Sequence, residues 1–436
     1  MSIYLSPLRL KSPILGMSIW NNLPLDLLAK VFSFLSPDSL AIARSVCKNW
    51  HTCSKAYPLS PTTTSSTTTT TSSWFLALPI RNHRACCYAH NPTIDKWHQL
   101  SLPLPSIRPI ASIGSLLLLR VTNSTTLQLG LFNPFTGEFK HLPRLRAART
   151  NPAVGVKVSE SSNSSHDDVV FPSFRVYVAG GMSEAAAEGG ATYETKVEMY
   201  DSRIETWRVV GSTPVEFAVR LTVWTPNENV CIGETLYWVT SARAYSVVGY
   251  DVGRNGWREL GVPMAEKLEF ASLVKRNGAL GLVGGTCGGS GCIWGLGEGD
   301  DKWCLVDEVP LQLGLRLLGG KRVWESVKCV GNEDCICLYR DLGSGMVACR
   351  RVGCEWVWVW IYGCDNLKGK PLPNSAIRGA LLHPTLASSS LIFWTTLVFL
   401  IPVVRLWMCL RISLCLECVS SSHSITLILL CLFYWF

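Results

Sequence analysis

The chain has 436 residues, 48% hydrophobic and 17% charged, enough for two or three domains with a sizeable core. Its net charge is +8, but Lys and Arg are scattered and never interleave with aromatics in a run, so no nucleic-acid partner is expected. The 18 cysteines are irregularly spaced, with Cys86 and Cys87 adjacent and Cys335 and Cys337 too close for a zinc knuckle; they read as reduced core thiols of a cytoplasmic or nuclear protein, with no metal and no cofactor expected.

Residues 1–20 hold Pro7 and Pro13 and no continuous apolar run, which makes an irregular leader and a poor secretory signal. Residues 21–57 predict three short helices. Pro24 suits a first helical turn, where its missing N–H costs nothing. Leu27, Leu28, Val31, Phe32 and Leu35 then fall on one helical face. Ser36-Pro37-Asp38 restarts the chain as a second helix, on which Leu40, Ala43 and Val46 continue the apolar stripe. Val46, Trp50 and Cys53 stand at helical spacing on a third. A module this small is marginal alone. Residues 58–73 contain SPTTTSSTTTTTSS, a polar linker unable to bury a core. It predicts a module tethered to the rest of the chain rather than packed on it.

Residues 74–385 are rich in Gly, Val, Trp and Pro and carry a repeat of about 50 residues. Asn91 leads to Trp97, Leu100 and Pro103, and Asn133 to Phe139, Leu142 and Pro143. Asp201 leads to Trp207, Val210 and Pro214, and Asp251 to Trp257, Leu260 and Pro263. A degenerate unit has Gly297, Trp303, Val306 and Pro310, and a sixth keeps Arg350, Trp356 and Val359. Phe132, Tyr200 and Tyr250 precede the Asx residue in three units. An Asn or Asp turns the chain at a strand end. The aromatic opens the next strand, and an aliphatic three residues on faces the opposite way, so both faces of that strand need covering. Stacked sheets supply such cover. Apolar runs closed by paired glycines, VYVAGG and LGLVGG, complete the pattern of an all-β propeller of kelch type with six blades. Trp97, Phe139, Trp207, Trp257, Trp303 and Trp356 are its structural anchors.

The stretch LPLDLLAKVFSFLSPDSLAIARSVCKNWHTC resembles an F-box, and with the repeat behind it the chain resembles plant F-box/kelch-repeat proteins. The resemblance implies a small all-α F-box at residues 21–57 followed by the propeller. It implies a non-catalytic substrate receptor of an SCF-type, cullin–RING ubiquitin ligase. The F-box would bind a SKP-type adaptor and through it the cullin and RING subunits, and the propeller an unknown protein substrate. Carried onto this chain, Leu23, Pro24, Leu27, Val31, Phe32, Leu35, Leu40, Arg44, Val46, Cys47 and Trp50 would form the adaptor-facing surface or the core beneath it. The sequence does not divide them between those roles.

A propeller enzyme or glycan binder of galactose-oxidase-like architecture is the alternative. No G-x-S-x-G elbow or phosphate loop occurs, and residues 200–370 contain no His. The acidic pairs Asp167-Asp168, Asp300-Asp301 and Glu333-Asp334 read as solvated turn residues rather than a catalytic dyad, and Arg243, Arg254, Arg276 and Arg322 could line a binding face but read by default as surface charge. Residues 386–436 form a hydrophobic tail: LIFWTTLVFLIPVVRLWMCL is near spanning length but broken by Pro402 and Arg405. A membrane anchor, an added sequence and extra core strands compete there, and association with a membrane depends on the first.

Overall fold

In this computed structural model the described residues are Pro24, Leu27, Leu28, Val31, Phe32, Leu35, Ala43, Trp50 and Cys53, then 73–384 apart from 81–84, 106, 123, 160–171, 184–189, 224–228, 242–243, 298, 300, 321–322, 368–369 and 373. The leader 1–20, the linker up to residue 72 and the tail 386–436 lie outside them. The chain divides into two compact units, Met1–Leu386 and Ala387–Phe436, and every described residue belongs to the first. Among the described residues no helix is long and apolar enough to cross a membrane.

Six four-stranded antiparallel sheets account for most of residues 74–382. Their innermost strands, Ile107–Ile113, Ala153–Val158, Asn229–Ile232, Leu268–Arg276, Lys328–Gly331 and Ile377–Leu382, each contact the next, and the last contacts the first. That closed ring makes a six-bladed β-propeller, as the repeat predicts. Blade 1 is assembled from both ends of the domain: Ile377–Leu382 pairs with Trp74–Pro79, from Trp74 against Leu382 to Pro79 against Ile377. Blades 2 to 6 follow in chain order, with Ile107–Ile113, Ala153–Val158, Asn229–Ile232, Leu268–Arg276 and Lys328–Gly331 as their innermost strands. Two helices, Val215–Val223 and Leu311–Leu318, sit in the connections between blades 3 and 4 and between blades 5 and 6.

Six hydrophobic clusters fill the six seams, and the repeat is built to serve them. Each anchor lies on the outermost strand of its blade and joins the seam with the preceding blade, as Trp97 does with blade 6 and Trp257 with blade 3. The aliphatic three residues on turns to the following blade, as Leu100 does to blade 2 and Leu260 to blade 5. Blade 5 departs from this, since Val306 is 52% exposed at a bulge and Val309 fills the seam instead.

The spacing from Asx to aromatic has a turn behind it. Asn91, Asn133, Asp201 and Asp251 each accept the backbone N–H two residues on through Oδ1. Asp95, Gly137, Glu205, Asn255 and Asp301, two residues before their anchors, take positive φ and close the hairpin. The residue before the Asx then lies across the ladder from the anchor: His90 from Trp97, Phe132 from Phe139, Tyr200 from Trp207 and Tyr250 from Trp257. The sixth unit corrects the alignment. Its turn is shorter, Val352 pairing with Glu355 around Gly353, so Arg350 is a strand residue opposite Val357 and holds no turn position.

The two double glycines end the second strands of blades 3 and 5, for different reasons. Gly180 and Gly181 have φ of 66° and 93°, and a Cβ on Gly181 would lie 2.9 Å from the carbonyl oxygen of Thr150. Gly285 lacks a positive φ but faces the Trp324 ring, which a Cβ would meet at 2.4 Å.

The helical module does not match the picture of a free tether. Leu28, Phe32, Ala43 and Cys53 are buried within the same apolar cluster as Leu100, Leu102, Ile107 and Phe135 of the seam between blades 1 and 2. Side chains this apolar need cover, and the first propeller seam provides it.

Candidate functional site

Two surfaces have the exposure that binding requires. On the first helix Leu28 donates its N–H to the carbonyl oxygen of Pro24 at 2.9 Å, fixing the turn that Pro24 begins. From there the helix carries two stripes. Leu28 and Phe32 face inward at 0% and 3% exposure, while Leu27 and Val31 are 46% and 36% exposed. Phe32 meets Trp50 edge to face, with ring centroids 5.4 Å apart. Leu35 packs on the same cluster. Pro24, Leu27 and Val31 thus form an outward apolar stripe at helical spacing, and Phe32, Leu35 and Trp50 lie on the inward side. Leu23, Leu40, Arg44, Val46 and Cys47 lie outside the described residues.

The second surface is the propeller. A channel of about 290 Å³ runs along its axis, lined by residues from all six innermost strands, among them Ile110, Val156, Cys231, Leu273, Val330 and Ala380. One mouth carries two lysine–glutamate ion pairs and a histidine–aspartate contact. Lys275 meets Glu333 at 2.6 Å, His383 lies 3.8 Å from Asp334, and Lys157 pairs with Glu234. Glu333, expected to be a plain solvated turn residue, is therefore paired with Lys275 at this mouth, and Asp334 faces His383.

The opposite face carries the longer connections, including both helices. Its firmest feature is a buried ion pair: Arg149 and Glu198, each with a fully buried side chain. Arg149 also donates to the carbonyl oxygens of Gly180 at 3.2 Å and Lys196 at 2.8 Å, and Glu198 accepts the N–H groups of Arg146 at 2.8 Å and Ala147 at 3.1 Å. The pair pins the connection between blades 2 and 3. Helix Val215–Val223 is tied down through Arg220, which donates to Glu259 at 2.7 Å and to Thr240 at 3.1 Å. That hydrogen bond holds the Glu259 carboxyl below its ordinary pKa.

Arg276, read as surface charge, is instead structural: it bonds Asp307 at 3.1 Å and lies 4.7 Å from the Trp356 ring centroid. Arg243 and Arg322 lie outside the described residues. Sequence reasoning passed over Arg149, Glu198 and Arg316. No local motif marks any of them, because the groups they meet are distant in sequence.

The anchors tie the blades together with one recurring hydrogen bond. The indole N–H groups of Trp207, Trp257 and Trp303 donate to the carbonyl oxygens of Pro143, Ser212 and Gly261 at 2.8, 2.8 and 2.7 Å. Trp97 does the same to Tyr362 at 2.9 Å, across the seam where the ring closes. In each case the acceptor lies at or just past the end of the outermost strand of the preceding blade. Trp356 finds the Asn277 side chain instead, at 3.2 Å, and Phe139 has no N–H to give.

Comparison with known proteins identifies the two parts unequally. Residues 20–60 match the F-box domain. The chain is 25% identical over 387 residues to F-box only protein 6 of Arabidopsis thaliana, covering 84% of this chain and 74% of that protein. It is 23% identical over 373 residues to Protein UNUSUAL FLORAL ORGANS of Arabidopsis thaliana, covering 78% of each. The crystal structure of TolB from Acinetobacter baumannii aligns at a TM-score of 0.40 and 10% identity over 72% of this chain and 67% of that one, too distant to bear on fold or function. The chain is an F-box domain followed by a six-bladed β-propeller, similar over most of its length to F-box proteins of Arabidopsis.

Proposed function

We propose that this chain is the substrate-recognition subunit of an SCF-type, cullin–RING ubiquitin ligase. Its F-box binds a SKP-type adaptor, and a kelch-type propeller binds the protein to be ubiquitinated and degraded. Ubiquitin transfer belongs to other subunits, and this chain is non-catalytic. The observation that carries the reading is the outward stripe of Leu27 and Val31 on a helix whose Leu28 and Phe32 are buried, within a segment that matches the F-box. An apolar stripe of this kind is what a partner groove reads as helical anchors. Glycine pairs ending second strands and aromatics opening outermost strands support the kelch assignment. The working compartment is the cytoplasm or nucleus, and carbonate extraction of the full chain tests whether residues 386–436 add a membrane attachment.

Adaptor capture tests the reading. Leu27→Asp with Val31→Asp is expected to weaken capture of a co-expressed adaptor at least about thirtyfold, as loss of hot-spot contacts of about 2 kcal/mol implies. The circular dichroism spectrum should stay unchanged, because both side chains point outward. Capture that survives the double change sinks the proposal.

A further inference from the structure

We infer that the face carrying helix Leu311–Leu318 holds a docking site for a peptide segment with an acidic side chain next to an apolar one. This rests on the receptor reading above and names its substrate chemistry. The helix divides cleanly: Gly314, Leu317 and Leu318 are buried, and Leu311, Gln312 and Arg316 face solvent. Arg316 is held in place by two rings, its guanidinium carbon 4.2 Å from the Trp360 ring centroid and 5.1 Å from that of Tyr362. Stacking of this kind fixes the plane of the guanidinium fork and leaves its N–H edge for a planar anion.

The charge pattern names the occupant. Arg149, Arg175, Arg220, Arg258, Arg276 and Arg340 each have a carboxylate partner. Arg316 has none among the described residues, a lack it shares with Arg254 and Arg351, but of the three only Arg316 also lies over two aromatic rings. A carboxylate accepting a bidentate pair from this fork completes the arrangement. Tyr362, one of the two rings, is 66% exposed, and Leu311 at the start of the helix and Val323 beyond its end are 66% and 42% exposed. At the C-terminal end of the helix a groove of about 410 Å³ opens, lined by Leu318, Val323, Glu325, Ser326 and Arg340, with room for extended backbone. A single carboxylate flanked by a leucine-like side chain fits one fork beside apolar ground.

The full chain with its adaptor can be probed on arrays of twelve-residue peptides carrying one central Glu or Asp beside Leu or Phe. Matched arrays carry Gln or Asn, and a single-stranded RNA twelve-mer serves as a polyanion control. Acidic peptides are expected to bind about tenfold or more tighter than their amides, and Arg316→Gln to remove that margin. Arg316→Lys, which keeps charge but loses the stacked fork, is expected to lose most of it. Tyr362→Ser, which removes exposed apolar surface and one of the two rings holding the fork, should weaken both kinds of peptide and narrow the margin between them. Equal binding of acidic and amide peptides, an unchanged margin in Arg316→Gln, full rescue by Lys, or RNA binding as strong as peptide binding would each overturn the site. Adaptor capture in the same samples reports on the receptor reading separately, since Arg316 is not part of the F-box.

Discussion

Trp207 does two things with one side chain. Its ring lies 5.5 Å from that of Tyr200, the cross-strand partner, and its N–H crosses the seam to Pro143. Trp207→Phe keeps the ring and loses the bond, so unfolding by denaturant is expected to show a loss of about 1 kcal/mol. Trp207→Ala also opens a cavity and is expected to cost about 3–5 kcal/mol. The Arg149–Glu198 pair gives a sharper contrast. Glu198→Ala leaves a buried guanidinium unpaired and is expected to cost about 3–5 kcal/mol, and Arg149→Met with Glu198→Leu is expected to recover most of that. His90 supplies a pH dependence. It is 1% exposed, and burial pushes its pKa below the ordinary 6.5, so it is neutral when folded and gives its Nε2–H to Asp95 at 2.8 Å. The unfolded chain takes up a proton below about 6.5 that the folded one resists. Stability is therefore complete above that pH and falls as the pH drops towards the folded value. Melting temperatures at pH 7.5 and 5.5 should differ less in His90→Gln than in the wild-type chain.

At the scale of single elements, the turn is the unit that repeats. Asp251 accepts the N–H groups of Gly253 and Arg254, both at 2.9 Å, and Asn255 then takes positive φ. Asp251→Ala removes both bonds and is expected to cost about 1 kcal/mol by denaturant titration. This turn was legible because it is local, its chemistry lying within seven residues of Asp251 and Trp257. The first F-box helix was legible as apolar but not as two stripes. Leu27 and Leu28 are the same residue type one step apart, and only burial shows that one faces solvent and the other the core. The double glycines read alike and act differently, since Gly181 needs positive φ and Gly285 needs space for Trp324. Trp324 lies 39 positions further along the chain, so nothing in the local motif announces it.

For the whole molecule, stability depends on closing the ring. Gly379, on the C-terminal strand of blade 1, donates its N–H to the Tyr339 hydroxyl at 2.6 Å, and a Cβ there would meet the Phe75 and Tyr339 rings at 2.7 and 2.8 Å. Gly379→Val is expected to loosen the closure, seen as faster limited proteolysis at both ends of residues 74–382 and a lower melting temperature. By itself, the sequence determined the order of a helical F-box and a six-bladed propeller and the repeat behind the blades, because helical periodicity, Asx turns and aromatic spacing are local and leave a local trace. Only the tertiary structure decided which strand closes blade 1, which face of the first helix is left outward, and that Arg149 meets Glu198 while Arg316 lies over the Trp360 and Tyr362 rings. Those outcomes depend on groups brought together from distant parts of the chain, where packing and charge pairing, and not spacing, choose the partner.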